Sequence, residues 1–250
     1  MWTGVPLTEG RERIIIKSIE SKGSDEMARA MFEPVWREMF PFWDRIGEAD
    51  REEICENSSA VGYPKGVTVH DGTGCGGVFF VRSGCLRVYM LSEEGKEVTL
   101  YRLHEGDMCM LAASCVLQAV TFEVMVDSEE DSECYIISGP AFADISERWP
   151  EIKIFALETA VGRFSDVMWV MQQILFMSMD KRLAIFLTDE ISRVGGDTVA
   201  LTHEQIAKYM GSAREVVSRM LKYFAAEGLV EVSRKGVRIL DRARLRALTL

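Results

Sequence analysis

Four side chains that could hydrogen-bond to the edges of base pairs lie within one stretch of six residues, namely Arg214, Glu215, Ser218 and Arg219. An arginine can donate two hydrogen bonds to the O6 and N7 atoms of guanine, and a glutamate can accept one from the N4 amino group of cytosine. Arginine and glutamate on a helix are more often simply solvated, so their types alone identify no function. The element that carries them decides between the two interpretations.

These four residues fall on the second helix of a predicted helix-turn-helix. Thr202, with Gln205 three residues later, forms a capping box that begins a first helix, and Gly211 permits a sharp turn. Ser212 is expected to cap the second helix, predicted over residues 213–224. On that helix the apolar residues form one stripe, made of Val216, Val217, Met220, Leu221 and Phe224. Two helices joined by a glycine turn are typical of proteins that insert the second helix into the major groove of DNA.

Four further residues are candidates for contacts with the phosphate backbone, which position a protein on DNA without specifying sequence. Two of them, Thr202 and Lys222, lie on the predicted helix pair. Residues 228–232 and 237–240 are predicted to form a two-stranded wing after the second helix. The turn between these strands carries the other two candidates, Arg234 and Lys235.

Charge is distributed unevenly along the chain. The formal net charge of −10 and the pI near 5.0 argue, for the chain as a whole, against nucleic-acid binding. Residues 181–250, however, carry 13 Lys and Arg against 8 Asp and Glu, whereas the remaining 180 residues carry 16 against 31. Because an electric field acts locally, the basic C-terminal segment can attract DNA although the body of the chain is acidic.

The residues between Phe40 and Phe142 have the pattern of short β-strands. Runs rich in β-branched and aromatic residues, at 77–82, 85–91 and 97–103, alternate with glycine-containing turns. Strands at this spacing predict an antiparallel roll or barrel.

After Pro150 the hydrophobic period becomes that of a long helix. Seven apolar residues recur at alternating separations of three and four, namely Ile154, Leu157, Val161, Phe164, Met168, Met171 and Leu175. This repeat predicts a helix of roughly 28 residues, ~42 Å long, whose apolar stripe needs a partner along its whole length. The stripe could pack on its own domain, but a short roll could hardly cover it. A parallel two-stranded coiled coil, and therefore a homodimer, is favoured.

The pattern of elements divides the chain into four predicted segments. A further helix is predicted over residues 181–193, with Asp180 as its N-cap and Gly195 at its end. The segments are an N-terminal extension of uncertain order (1–30), a β-roll domain (31–149), a dimerisation helix (150–179) and a C-terminal domain with the helix-turn-helix and the wing (180–250).

The stretch Leu201–Leu229, LTHEQIAKYMGSAREVVSRMLKYFAAEGL, resembles the helix-turn-helix signature of the CRP/FNR transcriptional regulators. In that family the recognition helix carries R-E-x-x-x-R or E-x-x-S-R, and this chain has both overlaid. The resemblance implies that Glu215, Ser218 and Arg219 read a TTGAT-like half-site, as in FNR-type members, whereas the Arg-Glu-Arg trio of the cyclic-AMP branch reads TGTGA. Since Ser218 is present, we expect an FNR-like palindrome.

The resemblance extends over about residues 38–245. The run Tyr63–Gly66 and the glycines at 84, 95 and 106 match the turns of the family's cyclic-nucleotide-type β-roll, and the heptad helix occupies the place of its dimer helix. The implied fold is of the α+β class, with an N-terminal antiparallel β-roll as sensor domain, a long dimerisation helix and a C-terminal winged helix-turn-helix. The implied partners are double-stranded DNA, a second copy of the chain and, for an activator, RNA polymerase.

Two departures from the family concern the ligands of two of its branches. A buried cyclic phosphate needs a cation and oriented donors, yet no Lys or Arg occurs between Glu105 and Glu147. The iron–sulfur branch has a cysteine cluster near its N-terminus, whereas the first cysteine here is Cys55. Neither a cyclic nucleotide nor an iron–sulfur cluster is therefore expected, and the effector is unidentified.

The residues in place of the phosphate-binding segment are uncharged and rich in sulfur. Candidates for an effector or sensor role are Cys109, Met110, Cys115 and Thr121. An uncharged or aromatic small molecule would suit a pocket lined by Met and Cys. Redox sensing by the two cysteines, and haem or metal binding through His70, His104 or Cys, are alternatives. The cysteines could equally be small core residues, which is how free cysteine usually behaves.

Other classes of function find little support in the sequence. A cupin-like metalloenzyme, the main enzyme alternative for a β-roll, would need clustered histidines and carboxylates, but the chain has three histidines and no HxH pair. No GxSxG, P-loop or HExxH motif occurs, so we predict no enzyme, no catalytic residue and no metal site. We also identify no secretory signal, no membrane span and no CxxC pair among the six cysteines, which favours a cytoplasmic protein with reduced thiols.

Overall fold

A computed structural model describes residues 25–73, 76–109 and 124–250, and the strand runs predicted from the sequence are strands in it. The described residues form two units. The first consists of the residues up to Val88 together with Arg102–Gly162, and the second of Tyr89–Tyr101 together with Arg163–Leu250. The predicted segments placed residues 89–101 in the roll, whereas this division groups them with the C-terminal residues.

The strands of the roll form two four-stranded sheets, and the pairs β1–β8, β2–β7, β3–β6 and β3–β8 are antiparallel as predicted. One sheet has the order β1-β8-β3-β6 and the other has the order β2-β7-β4-β5. The strands are β1 (Ser58–Tyr63), β2 (Thr68–Asp71), β3 (Val78–Ser83), β4 (Cys85–Leu91), β5 (Glu97–His104), β6 (Met108–Cys109), β7 (Met125–Ser128) and β8 (Ser132–Ile137).

Helices flank these strands in the sequence. They are α1 (Asp25–Met39), a short 3-10 helix (Trp43–Arg45), α2 (Glu48–Glu56) and α3 (Gly139–Arg148). α1 begins inside the predicted extension 1–30, and its Trp36 is completely buried. Trp36 stacks on Phe40 with ring centroids 5.4 Å apart, and Phe40 stacks on Phe42 at 5.0 Å. Trp36 also contacts Phe80 of β3 and Tyr135 of β8 edge-on, so these aromatic side chains anchor α1 to the roll.

The helix predicted from the heptad repeat is α4 (Pro150–Phe176), which has 27 residues. Its Ile152 and Ala156 are buried, whereas most of its apolar stripe is exposed. Neither α4 nor any other helix in the described ranges has the length and hydropathy that crossing a lipid bilayer requires.

The C-terminal residues form a small winged helical domain. Its elements are α5 (Met179–Val194), β9 (Thr198–Val199), α6 (His203–Met210), α7 (Arg214–Ala226), β10 (Val230–Ser233), β11 (Gly236–Ile239) and α8 (Arg242–Ala247). The sheet order is β10-β11-β9, so the predicted two-stranded wing has a third, very short strand. Leu183, Leu187, Leu221, Phe224 and Leu245 form part of a single buried core that draws on all four helices and the sheet.

Two predicted helix caps are wrong. α5 begins at Met179 with Ser178 in the N-cap position, so Asp180 lies in the first turn. A hydrogen bond from the Ser178 side chain lowers the pKa of Asp180, and a carboxylate in the first turn is still favoured by the helix dipole. The N-cap residue of α7 is Ala213, whose methyl side chain can make no capping bond, and the hydroxyl of the predicted cap, Ser212, lies 3.8 Å from the sulfur of Met179.

Candidate nucleic-acid interface

α6 and α7 form the predicted helix-turn-helix, and the predicted capping box fixes the start of α6. The Gln205 N–H donates to Thr202 Oγ1 at 3.2 Å, and the Thr202 N–H donates to Gln205 Oε1 at 2.8 Å. Both bonds satisfy backbone donors at the helix start. α6 ends at Gly211, whose φ of 57° lies in the left-handed region. That conformation is costly for residues with a Cβ, so the glycine permits the turn.

α7 directs one face into the core and the other into solvent. Val217, Leu221 and Phe224 are completely buried against the apolar residues of α6. This burial fixes the rotation of the helix about its axis, and therefore fixes which side chains a duplex would meet. Four predicted contacts on α7 are exposed, namely Arg214, Glu215, Arg219 and Lys222, while the fifth, Ser218, is half-buried.

The basic side chains of residues 181–250 differ in whether they have partners. Some are ion-paired with carboxylates of the same unit: Arg193 with Glu190, Lys208 with Glu97, Arg238 with Glu231 and Arg244 with Glu227. Others make no ion pair or side-chain hydrogen bond within the described part of the chain: Arg214, Arg219, Lys222, Arg234, Lys235 and Arg246. All but the last of this second group are residues predicted to contact DNA. The chain therefore leaves its candidate DNA-binding cations available.

The wing and the start of α6 enclose a cleft of about 290 Å³. Thr202 and His203 line it from α6, and Arg234 and Lys235 line it from the turn between β10 and β11. Three of the four predicted backbone contacts are thus brought together around one opening. Lys222, the fourth, lies on α7 and is not part of the lining.

His203 joins the two helices at the centre of the candidate surface, and the sequence had not indicated it. Its Nδ1 atom lies 2.9 Å from the hydroxyl oxygen of Ser218. Burial, and then the positive charges of Arg214 and Lys222, lower the pKa of His203, so the ring is neutral at pH 7. Sequence reasoning missed this residue because its partner is fifteen positions away on another helix.

Within the C-terminal unit, the hairpin tip formed by β4 and β5 packs against the turn of the helix-turn-helix. Lys208 Nζ lies 3.1 Å from a carboxylate oxygen of Glu97, and the hydroxyl of Thr99 donates to the Lys208 carbonyl at 3.4 Å. Val98 lies directly over Gly211, where an added Cβ would be 3.1 Å from its Cγ2 atom. Glycine at this position therefore serves both the turn and the close approach of the hairpin.

The seven residues of the predicted coiled-coil stripe are exposed on α4. Their exposed fractions are 53% for Ile154, 50% for Leu157, 63% for Val161, 60% for Phe164, 44% for Met168, 46% for Met171 and 63% for Leu175. The alternative that the stripe packs on its own domain would require these side chains to be buried within the chain, and they are not.

Of the predicted sensor residues, only Cys109 lies within the described ranges, and Met110, Cys115 and Thr121 lie outside them. Cys109 is buried on β6, opposite Phe79. For Cys55 and Cys134, burial raises the pKa of the thiol to about 12. The described residues contain no group of three or more His, Cys, Asp or Glu placed to hold a metal ion.

Comparison with known proteins identifies the family. A Crp-like helix-turn-helix domain matches residues 181–248, and a cyclic nucleotide-binding domain matches residues 63–148. Flp of Lacticaseibacillus casei, described as a transcriptional regulator, is 30% identical over 163 residues, which cover 64% of this chain and 74% of that protein. The chain belongs to the CRP/FNR family. A crystal structure of a CRP/FNR-family transcriptional regulator from Eubacterium rectale is similar with a TM-score of 0.81 and 42% identity, over 85% of this chain and 99% of that one.

Another relative in the CRP/FNR family also regulates transcription. The transcriptional activator Anr of Pseudomonas aeruginosa is 26% identical over 181 residues, covering 69% of this chain and 72% of that protein. This CRP/FNR chain is accordingly a transcriptional regulator with a DNA-binding helix-turn-helix, and not an enzyme. The predicted fold, with an antiparallel roll before a winged helix-turn-helix, is confirmed.

Proposed function

We propose that the protein acts as a homodimer on a palindromic DNA site, which it reads with Arg214, Glu215, Ser218 and Arg219. The observation that carries the proposal is the arrangement of α7. Its buried face fixes the helix against α6, and its opposite face presents cations that make no ion pair within the described part of the chain. A cation left unpaired on a well-packed helix is available to an external anion, and double-stranded DNA is the anion that a helix-turn-helix binds.

The base-contact candidates differ in the bases that their side chains can recognise. Arg214 and Arg219 are suited to guanine, and Glu215 is suited to cytosine. Arg214 and Glu215 lie in the first turn of α7, and Arg219 follows within the next turn. The N-terminal part of a recognition helix is where base edges are contacted. The FNR-like trio Glu215, Ser218 and Arg219 makes a TTGAT-type half-site the expected target.

Backbone contacts are assigned to Thr202, Lys222, Arg234 and Lys235. The cleft between α6 and the wing has two cationic side chains and a hydroxyl on its walls, and it lies at the N-terminal end of a helix. Each of these features favours a phosphate. One backbone phosphate of the duplex in this cleft would set the register in which α7 meets the bases.

The dimer is assigned to the exposed stripe of α4. A soluble chain gains free energy by covering a continuous apolar row, and the alternating separations of three and four match the seam of a parallel two-stranded coiled coil. A two-fold axis along this seam would relate two copies of α7. The copies would then fit half-sites one helical turn apart, about 34 Å.

Regulation is assigned to an effector in the roll that shifts the packing of α4 and so the separation of the two recognition helices. The absence of Lys and Arg from residues 105–147 argues against a cyclic nucleotide and for an uncharged small molecule. Cys55 and Cys134 are not suited to redox sensing, since burial raises the pKa of both thiols to about 12. For an activator, RNA polymerase would be the further partner.

The DNA-binding proposal is tested by fluorescence anisotropy with the full chain and a labelled TTGAT-N4-ATCAA duplex. A scrambled duplex of the same composition and a duplex with TGTGA half-sites serve as controls. The expected result is tighter binding to the first duplex, with a steep loss of affinity as salt increases, because several phosphates are neutralised. Equal and weak binding to all three duplexes would contradict the assigned half-site.

The dimer is tested by changing Leu157, Phe164 and Met171 together to glutamine and measuring the molar mass by light scattering. The expected result is a monomer that keeps its helical content and loses affinity for the palindrome. A variant that is still a dimer and still binds the palindrome would show that α4 is not the dimer seam.

A further inference from the structure

The hydrogen bond between His203 and Ser218 connects the first residue of α6 to the row of α7 that faces DNA. Its length, 2.9 Å between Nδ1 and Oγ, is that of a well-formed hydrogen bond. Both side chains are half-buried, and Arg214 and Lys222 lie one helical turn to either side of Ser218. The imidazole therefore contacts the one base-reading candidate on α7 that is not a freely exposed charged group.

The chemistry of the pair follows from the single proton on the serine hydroxyl. If Nδ1 accepts, the hydroxyl donates its proton to the ring, and only the acceptor lone pairs of Oγ are left for a base. If Nδ1 carries a proton and donates, the hydroxyl accepts from the ring and can donate its own proton to a base. A neutral ring permits either arrangement, depending on its tautomer, whereas a protonated ring permits only the second.

We propose that His203 is a specificity-determining positioning residue, which sets through this hydrogen bond whether Ser218 presents an acceptor or a donor to the base pair. The inference rests on the proposed function, since Ser218 must face DNA. Adenine N6 and cytosine N4 offer donors in the major groove, whereas guanine O6 and N7 and thymine O4 offer acceptors. Protonation of His203 therefore turns Ser218 into a donor and favours guanine or thymine at the position that it contacts.

The charges around His203 determine when this change occurs. Arg214 and Lys222 on α7, and Arg234 and Lys235 on the wing, are the cations around it, and Glu204 follows it on its own helix. Burial, and then the charges of Arg214 and Lys222, lower the pKa of His203 and so favour the neutral ring in the free protein. A DNA phosphate in the adjoining cleft would oppose them and favour the imidazolium. Binding of DNA is thus coupled to proton uptake, and acidification strengthens the donor form of Ser218.

The test is a selection of duplexes from a TTGAT-N4-ATCAA pool in which each half-site position is randomised in turn, carried out with the full chain at pH 5.5 and pH 8. We expect one position to shift towards guanine or thymine at the lower pH, by about two- to tenfold, the effect of one neutral hydrogen bond. His203→Ala and Ser218→Ala should each abolish this shift, and the double variant should add nothing to Ser218→Ala.

Two further variants separate positioning from folding. His203→Gln offers both a donor and an acceptor but does not titrate, so it should retain the affinity that His203→Ala loses while its base preference is the same at both pH values. His104→Gln, in the roll, should behave as the wild-type chain does. A wild-type base preference that is independent of pH, or a pH shift that persists in His203→Gln, would overturn the role of His203 but not the proposed function. Failure of the wild-type chain to enrich any half-site overturns the proposed function and the inference with it.

Discussion

α7 and α4 both carry a regular apolar stripe, but the stripe of α7 is largely buried and that of α4 is exposed. Phe224 of α7 is completely buried, whereas Phe164 of α4 is 60% exposed. The stripe of α7 is covered by α6 and the rest of the C-terminal core, whereas most of the stripe of α4 is uncovered within the chain. The same sequence pattern thus marks a face for the chain's own core in α7 and, in the dimer that we propose, a face for a second copy in α4.

The largest effect that follows from this comparison concerns the two phenylalanines. Phe224→Ala should lower the free energy of unfolding of the C-terminal domain by about 3–5 kcal/mol, because it leaves a cavity in a packed core. Phe164→Ala should leave that domain's stability unchanged and should instead weaken the dimer. Urea unfolding, monitored at several protein concentrations, distinguishes the two. Equal losses of domain stability would contradict the assignment of the α4 stripe to a partner.

A smaller effect concerns two glycines, Gly211 in the turn before α7 and Gly162 within α4. Gly211→Ala should destabilise the C-terminal domain by about 1–2 kcal/mol, since φ is 57° and the new Cβ would press on Val98. Gly162→Ala, inside α4 with nothing within 4 Å of the new Cβ, should stabilise by roughly 0.5–1 kcal/mol. Thermal unfolding should show melting temperatures that move in opposite directions. A stabilised Gly211→Ala variant would mean that this turn does not hold α7 as described.

The smallest expected effect is a change in the salt dependence of DNA binding, and it distinguishes an exposed lysine on α7 from one on α4. Lys222→Ala should reduce the slope of log affinity against log salt concentration by about 0.9, the contribution of one phosphate contact, with no change in sequence preference. Lys153→Ala, on α4, should leave the slope unchanged. The measurement is a salt titration of binding to the palindromic duplex. If both variants reduced the slope equally, Lys222 would be acting only through net charge.

Local patterns predicted the DNA-binding domain well, because each of its determinants is short-range. The Thr202–Gln205 box, the turn at Gly211 and the apolar stripe of α7 all depend on residues within one or two helical turns. The predicted caps at Asp180 and Ser212 failed because a neighbouring residue occupied the N-cap position in each case, and helix ends are sensitive to a shift of a single residue.

Contacts between elements could not be predicted in this way. The bond from His203 to Ser218 depends on the angle between α6 and α7, and the two-residue strand β9 exists only by pairing with β11. The approach of Glu97 to Lys208 joins residues more than a hundred positions apart. The effector could not be predicted either, because the sequence indicates an uncharged segment in the roll but not the shape of a pocket.

The central claim is that the exposed cations of α7 read DNA, and one measurement tests it directly. The affinities of the wild-type chain, Arg219→Ala and Arg244→Ala are compared on the TTGAT-N4-ATCAA duplex and on its scrambled counterpart. Both variants remove one exposed arginine from the same domain, but Arg244 is paired with Glu227 at the far end of α7. The account predicts that Arg219→Ala loses about 1–3 kcal/mol on the palindrome and little on the scrambled duplex, while Arg244→Ala stays close to the wild type. Equal losses for the two variants, or no loss for Arg219→Ala, would contradict it.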